Sequence, residues 1–138
     1  MIQNRKARHL YHLFETWEAG LCLRGLEVKA LKAGQASISE AYVLVENGEV
    51  WIHGFHITSG SQAFSIPDPT RPKKLLLHRK EIDKIQKAVD RKGYTLIPVS
   101  VETNPKGLIK IKISLALGKT DYDKRQALKE KATRRDEE

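Results

Sequence analysis

The stretch Ala41-Tyr42-Val43-Leu44-Val45-Glu46-Asn47-Gly48-Glu49-Val50-Trp51-Ile52 decides the fold class. Two runs rich in β-branched and aromatic residues flank Asn-Gly, the dipeptide that tolerates positive φ at both central turn positions, so the segment reads as a β-hairpin. A second hairpin follows later. From Leu108 to Leu117 the residues alternate, with Ile109, Ile111, Ile113, Leu115 and Leu117 to one side and Lys110, Lys112 and Ser114 to the other, as in a strand with one buried face. Tyr94–Glu102 precedes it, and Thr103-Asn104-Pro105-Lys106-Gly107 supplies the turn residues between them. Leu10–Trp17 and Leu21–Arg24 read as further strands parted by Glu18-Ala19-Gly20, and Glu27–Ala33 as a short helix stopped by Gly34. Residues 59–74, broken by Gly60, Pro67, Asp68, Pro69 and Pro72, read as a loop. The loop feeds a helix from Leu76 to Lys92 that buries Ile82, Ile85 and Val89, turns a basic face outward and ends at Gly93.

With 138 residues, 40% of them hydrophobic, the chain has material for one core and one domain. About six antiparallel strands with two to three helices point to a mainly β architecture, a small closed antiparallel β-barrel of the oligonucleotide-binding (OB) type, because closure removes exposed edges. An open α+β sandwich is the alternative. Residues 1–118 make up that domain. Beyond Gly118 only Tyr122, Ala127, Leu128 and Ala132 are apolar, too few to bury against a core, so residues 119–138 are expected to be a charged tail, disordered when free.

The formal net charge is +8 and the pI near 9.6, which favours an anionic partner, nucleic acid first. The excess is concentrated: residues 71–92 carry a net +6, and Arg5, Lys6 and Arg8 make the first nine residues +3. The single cysteine, Cys22, excludes an internal disulfide or a multi-cysteine zinc site, fits a reducing compartment, and between Leu21 and Leu23 reads as an inert core thiol. His9 and His12, and His53 and His56, are three apart in strand-like sequence, which puts each pair on opposite faces, so no metal is expected. Nucleophile-elbow, phosphate-loop and dinucleotide-turn motifs are absent, so neither an enzyme nor a cofactor is expected. No run approaches about 18 apolar residues, and Met1-Ile2-Gln3-Asn4-Arg5 lacks the apolar stretch of a secretory signal, so the expected setting is the cytosol, away from membranes.

What remains is cations beside flat rings and amides, in Asn4-Arg5-Lys6-Ala7-Arg8-His9-Leu10-Tyr11 and in Asp68-Pro69-Thr70-Arg71-Pro72-Lys73-Lys74-Leu75-Leu76-Leu77-His78. That mixture suits folded RNA, because Lys and Arg neutralise phosphates, Tyr and His stack on unpaired bases, and Asn reads base or ribose edges. A structural ribosomal protein gluing RNA helices is an alternative that composition permits.

In order along the chain, these strings together with Glu18-Ala19-Gly20, the run from Gly25 to Gly34, the hairpin from Tyr42, Gly93-Tyr94-Thr95-Leu96 and Asp123-Lys124-Arg125 resemble the SmpB (small protein B, or SsrA-binding protein) family of bacterial trans-translation. The resemblance runs from about Asn4 to Arg125. It implies an OB-type barrel that binds the tRNA-like domain of transfer-messenger RNA (tmRNA, SsrA RNA) near its elbow and escorts it to stalled ribosomes. It further implies a monomer, working with elongation factor Tu and alanyl-tRNA synthetase. Asn4, His9, Tyr11, Glu18 and Leu75 fall on positions the resemblance links to RNA binding; Arg5, Lys6, Arg8, Arg71, Lys73 and Lys74 are the cations of the same strings. Glu18 is chemically anomalous, since a carboxylate repels phosphate; it would have to orient a basic neighbour or accept from a base amino group or a 2′-hydroxyl. Gly118, Lys119, Tyr122, Asp123, Lys124 and Arg125 fall where the family's tail engages the small ribosomal subunit and its RNA at the empty decoding centre. Thr120 departs from that pattern, where a second lysine is usual.

Overall fold

Asn47 and Gly48 both take positive φ, 52° and 75°, and join β4 (Tyr42–Glu46) to β5 (Glu49–His53) in the two-residue turn that Asn-Gly favours. The computed structural model describes residues 2–58, 68–91 and 93–137, with side chains in the last helix as far as Lys129. Part of the expected 59–74 loop, residues 59–67, lies outside the described residues, as do Lys92 and the final Glu138.

Among the described residues the chain is mainly β with four helices. In order it runs β1 (Ile2–Gln3), α1 (Arg5–Leu10), β2 (Tyr11–Leu21), α2 (Gly25–Lys32), β3 (Ala36–Ser37), β4, β5, β6 (His56–Ile57), β7 (Lys73–Leu76), α3 (Arg79–Val89), β8 (Tyr94–Thr103), β9 (Ile109–Gly118) and α4 (Lys119–Glu137). Seven strands form one antiparallel sheet in the order β1-β8-β4-β5-β7-β2-β9, and β9 also pairs with β8, so the pairings return to β8. β3 and β6 form a separate two-stranded pair. Inside lie Trp17 and Ala19 of β2, Val43, Val50 and Ile52 of the first hairpin, Leu96 and Val101 of β8, and Ile111, Ile113 and Leu115 of β9. Ile85 of α3 and Leu31 of α2 plug the same core.

The second hairpin forms across β8 and β9, its turn held by Asn104, whose Oδ1 accepts from the Lys106 and Leu108 amides. β9 differs from its sequence reading. Beyond Lys112 both faces are covered, with Ser114 and Ala116 buried as fully as Ile113, because Ala7, Ile97 and Ala116 form a second small core with Tyr11 and Leu13 packed against it. α1, which propensity did not reveal, is therefore docked on the outside of the sheet through Ala7. The two expected strands around Glu18-Ala19-Gly20 are one, β2, which runs through all three residues and irregularly shifts register against β9 between Leu13 and Thr16. A further strand, β7, replaces the end of the expected loop, and α3 begins at Arg79 rather than Leu76. Over 119–137 the chain is helical rather than irregular.

Candidate nucleic-acid interface

Alternation along β2 explains Glu18-Ala19-Gly20. Ala19 points into the core, while Glu18 and Gly20 face outward. Gly20 pairs with Leu76 of β7, and a Cβ on Gly20 would lie 3.3 Å from the Leu76 Cβ, so the absent side chain is what lets Leu76 lie across β2. Leu76 is 52% exposed. It lines, with Glu18, Gly20, Leu77, His78, Glu81 and Lys110, an open cleft of about 440 Å³. Glu81 is turned to its own helix, accepting from the His78 amide.

A second cleft, about 300 Å³, opens at the start of α1, where Asn4, Arg5 and Arg8 meet Ser100 and Glu102 of β8 and Lys112 of β9. Asn4 is 8% exposed and acts as a staple. β8 is irregular between Pro98 and Ser100, a bulge in its pairing with β9. Asn4 bonds two carbonyls there: its backbone N–H donates to Val99 O at 2.8 Å and its Nδ2 to Pro98 O at 2.9 Å. Its Oδ1 is buried without a hydrogen-bond partner among the described residues.

The remaining expected RNA residues divide. His9 is exposed in the last turn of α1, Tyr11 is half-buried at the second small core, and Lys6 pairs with Glu40 at 2.6 Å, which holds that carboxyl below its usual range. Lys74 is half-buried and pairs with Glu49 at 3.2 Å. Lys73 and Leu75, expected to touch RNA, point inward at 0% and 1% exposure and offer RNA no surface in this conformation. Lys73 Nζ donates to Phe55 O and Arg71 O and sits 5.3 Å from the Phe55 ring centroid. Burial pushes its ammonium down to about 8 against the pull of the Glu27 carboxylate. Arg71 donates through Nη2 to Glu27, a buried residue of α2. Burial raises the Glu27 carboxyl, but the Arg71 and Arg24 hydrogen bonds and the charges of Arg71 and Lys73 outweigh it and leave it below its usual value. Of these two cations of the 68–78 string, Arg71 therefore ties the approach to β7 to α2, and Lys73 ties β7 to the Phe55 carbonyl between β5 and β6.

At the tail, Gly118 ends β9 opposite Tyr11. Tyr122 lies 4.0 Å from the His12 ring, and Arg125 lies 5.2 Å over the Tyr94 ring, so the first two turns of α4 are seated on the sheet. Lys119 is half-buried, and Asp123 and Lys124 are exposed. Cys22 is exposed just past the end of β2, not in the core. Among the described residues no three His, Cys, Asp or Glu side chains gather as a metal site, and no helix is long and apolar enough to cross a membrane. His9 lies on a helix, not a strand.

Sequence reasoning did not single out Leu76, His78, Lys110 or Lys112 as site residues. Alternation already placed the two lysines on the outer face of β9, but only the pairing of β2 and β8 on either side reveals that they border clefts.

A family model described as SmpB protein matches residues 1–138. An SsrA-binding protein of Synechococcus sp. (strain JA-3-3Ab) is 44% identical over 138 residues, covering 99% of this chain and 89% of the relative. One of Bacillus cereus (strain ATCC 10987 / NRS 248) is 46% identical over 137 residues, covering 99% and 88%. Among solved structures, a chain from "tmRNA-SmpB: a journey to the center of the bacterial ribosome" superposes with a TM-score of 0.73 at 38% identity, covering 86% of this chain and 83% of that one. On this match across its whole length, the chain belongs to the SmpB family.

Proposed function

We propose that this chain is a non-enzymatic RNA adaptor that binds the tRNA-like domain of tmRNA and delivers it to stalled ribosomes for trans-translation. The observation that carries the reading is the outer face around β9, where Arg5, Arg8 and Lys110 stand without an ion pair among the described residues, beside clefts that also offer Glu18, His78 and the exposed Leu76. Cations hold phosphates there, and Leu76 and His78 supply flat or apolar surface for an unstacked base. Asn4 acts by holding α1, and with it Arg5 and Arg8, on β8.

The ring of pairings is read as a closed six-stranded barrel of OB type with β1 added at β8, a scaffold that keeps both clefts rigid. Residues 1–118 bind tmRNA, and residues 119–138 engage the small subunit's RNA at the empty decoding centre, Lys119, Lys124 and Arg125 supplying charge. The partners include elongation factor Tu and alanyl-tRNA synthetase, the chain acts as a monomer, and the setting is the cytoplasm. Hydroxyl-radical footprinting of the tRNA-like domain with the purified full chain tests the proposal. Protection confined to the elbow supports it; an unprotected elbow refutes it.

A further inference from the structure

β9 passes straight into α4, with Gly118 the last residue of the strand and Lys119 the first of the helix. Where they meet, His12 of β2 and Tyr94 of β8 lie on either side of Leu117, each paired with it in register, and so share its face of the sheet. Leu117 is buried, and the two half-buried rings beside it take the helix. Tyr122 lies 4.0 Å from the His12 ring, centre to centre, and the Arg125 guanidinium stands 5.2 Å over the Tyr94 ring. Phe14 flanks the same tyrosine at 5.5 Å. Gly93 leaves room for the guanidinium, since a Cβ there would stand 2.8 Å from Arg125 Nη2.

Residues 122 and 125 are three apart and therefore face the same way on α4. Both meet the sheet within the first two turns, whereas residues 126–129 beyond them are exposed, Leu128 at 66%. A helix this polar has no apolar face to hold it, and its first turn is the costly one, because several dihedrals are fixed for a single hydrogen bond. Two ring contacts on consecutive turns offset that cost at the sheet, so the helix propagates outward from there along one line. No linker separates it from β9 to blur that line.

We propose that His12 and Tyr94 are positioning residues for the tail: their rings hold Tyr122 and Arg125, start the α4 helix on the sheet and fix the direction in which the residues beyond 125 reach the small subunit. This rests on the division of labour between sheet and tail given above and adds the part of the body that aims the tail. The test uses the full chain carrying Leu128→Cys, spin-labelled at that position and at the exposed Cys22, and reads the distance between the labels by pulsed electron resonance. The unlabelled chains, with Leu128 in place, are assayed for affinity to a transcript of the tRNA-like domain of tmRNA and for peptide tagging on stalled ribosomes. The parent should show one narrow distance. His12→Ala/Tyr94→Leu should broaden it, leave the affinity unchanged and slow tagging roughly tenfold, the weight of one aromatic pair and one exposed cation–π contact together. His12→Phe/Tyr94→Phe keeps both rings and should restore the narrow distance and the tagging rate. A broad distance in the parent overturns the proposal, as does a ring-less variant that keeps the narrow distance or the parent's tagging rate. A loss of affinity equal to the loss of tagging also overturns it, as damage to the body rather than to the aim of the tail. In all three cases a parent that binds the transcript and tags leaves the adaptor reading standing; a parent that does neither overturns both.

Discussion

Arg71 reaches 44 residues back along the chain to Glu27, its Nη2 2.5 Å from Glu27 Oε1, and so joins the strand that carries Leu76 to the helix that follows β2. The pair is mostly buried, Arg71 keeping about a fifth of its side chain exposed. Removing one partner leaves a charge without its counter-ion. Glu27→Gln should therefore lower unfolding free energy by about 3 kcal/mol in urea titration, at the low end for a buried pair because of that remaining exposure. Arg71→Gln should destabilise comparably yet keep the parent's salt slope for RNA; a slope lowered by about 1 would return Arg71 to the phosphate contacts.

Lys73 gives a pH signature. The folded chain releases its proton near pH 8, the unfolded chain near the ordinary 10.5, so between those values the unfolded state binds more protons and stability rises with pH. Relative to Lys73→Met, the parent should gain up to about 3 kcal/mol between pH 8 and 10.5. Parallel pH–stability curves for the two would contradict the buried cation.

Leu76 and Gly20 separate recognition from folding. Leu76→Ala, on an exposed side chain, should change stability by less than about 0.5 kcal/mol while weakening binding of the tRNA-like domain. Gly20→Ala should weaken binding less, because its methyl group, 3.3 Å from the Leu76 Cβ, shifts Leu76 by only a few tenths of an ångström. Parent-like affinity in both variants would remove the Leu76 cleft from the interface.

Asn4→Ala should cost about 1–3 kcal/mol, because Pro98 O loses its donor in the β8 bulge. Its effect on RNA should be indirect: amide hydrogen exchange in α1 accelerates and the salt slope falls, as Arg5 and Arg8 lose their position. A weakened complex with α1 protection and slope intact would instead make Asn4 a direct contact.

Deleting residues 119–138 should leave affinity for the tRNA-like domain nearly intact and abolish peptide tagging on stalled ribosomes in a reconstituted translation assay. Tagging that survives the deletion would refute the division of labour between sheet and tail.

Local pattern carried much of this structure and failed at identifiable places. Asn47-Gly48 and the alternation from Ile109 to Leu117 revealed both hairpins because turn chemistry and period-2 burial are local. Glu18-Ala19-Gly20 looked like a break because its glycine suggests a turn; it is continuous strand because β9, some 90 residues on, pairs with all three residues, and Leu76 of β7 pairs with Gly20 from the other side. α1 was hidden because its one buried residue, Ala7, is buried only once β8 and β9 are in place. Arg71 and Lys73 looked like phosphate ligands by composition, and only the distant Glu27 and Phe55 reveal them as a clasp. The outward motif residues Arg5, Arg8 and Glu18 were legible; the neighbours that complete their clefts, Lys110, Lys112 and Leu76, were not, since strand pairing brings them there.

The most direct test of the central claim is competition binding at physiological salt, with labelled tRNA-like domain of tmRNA on the full chain and unlabelled ordinary tRNA as competitor. The account predicts that ordinary tRNA displaces the domain only at large excess, because the two clefts read a particular RNA shape as well as charge. Equal competition by the two RNAs would contradict it.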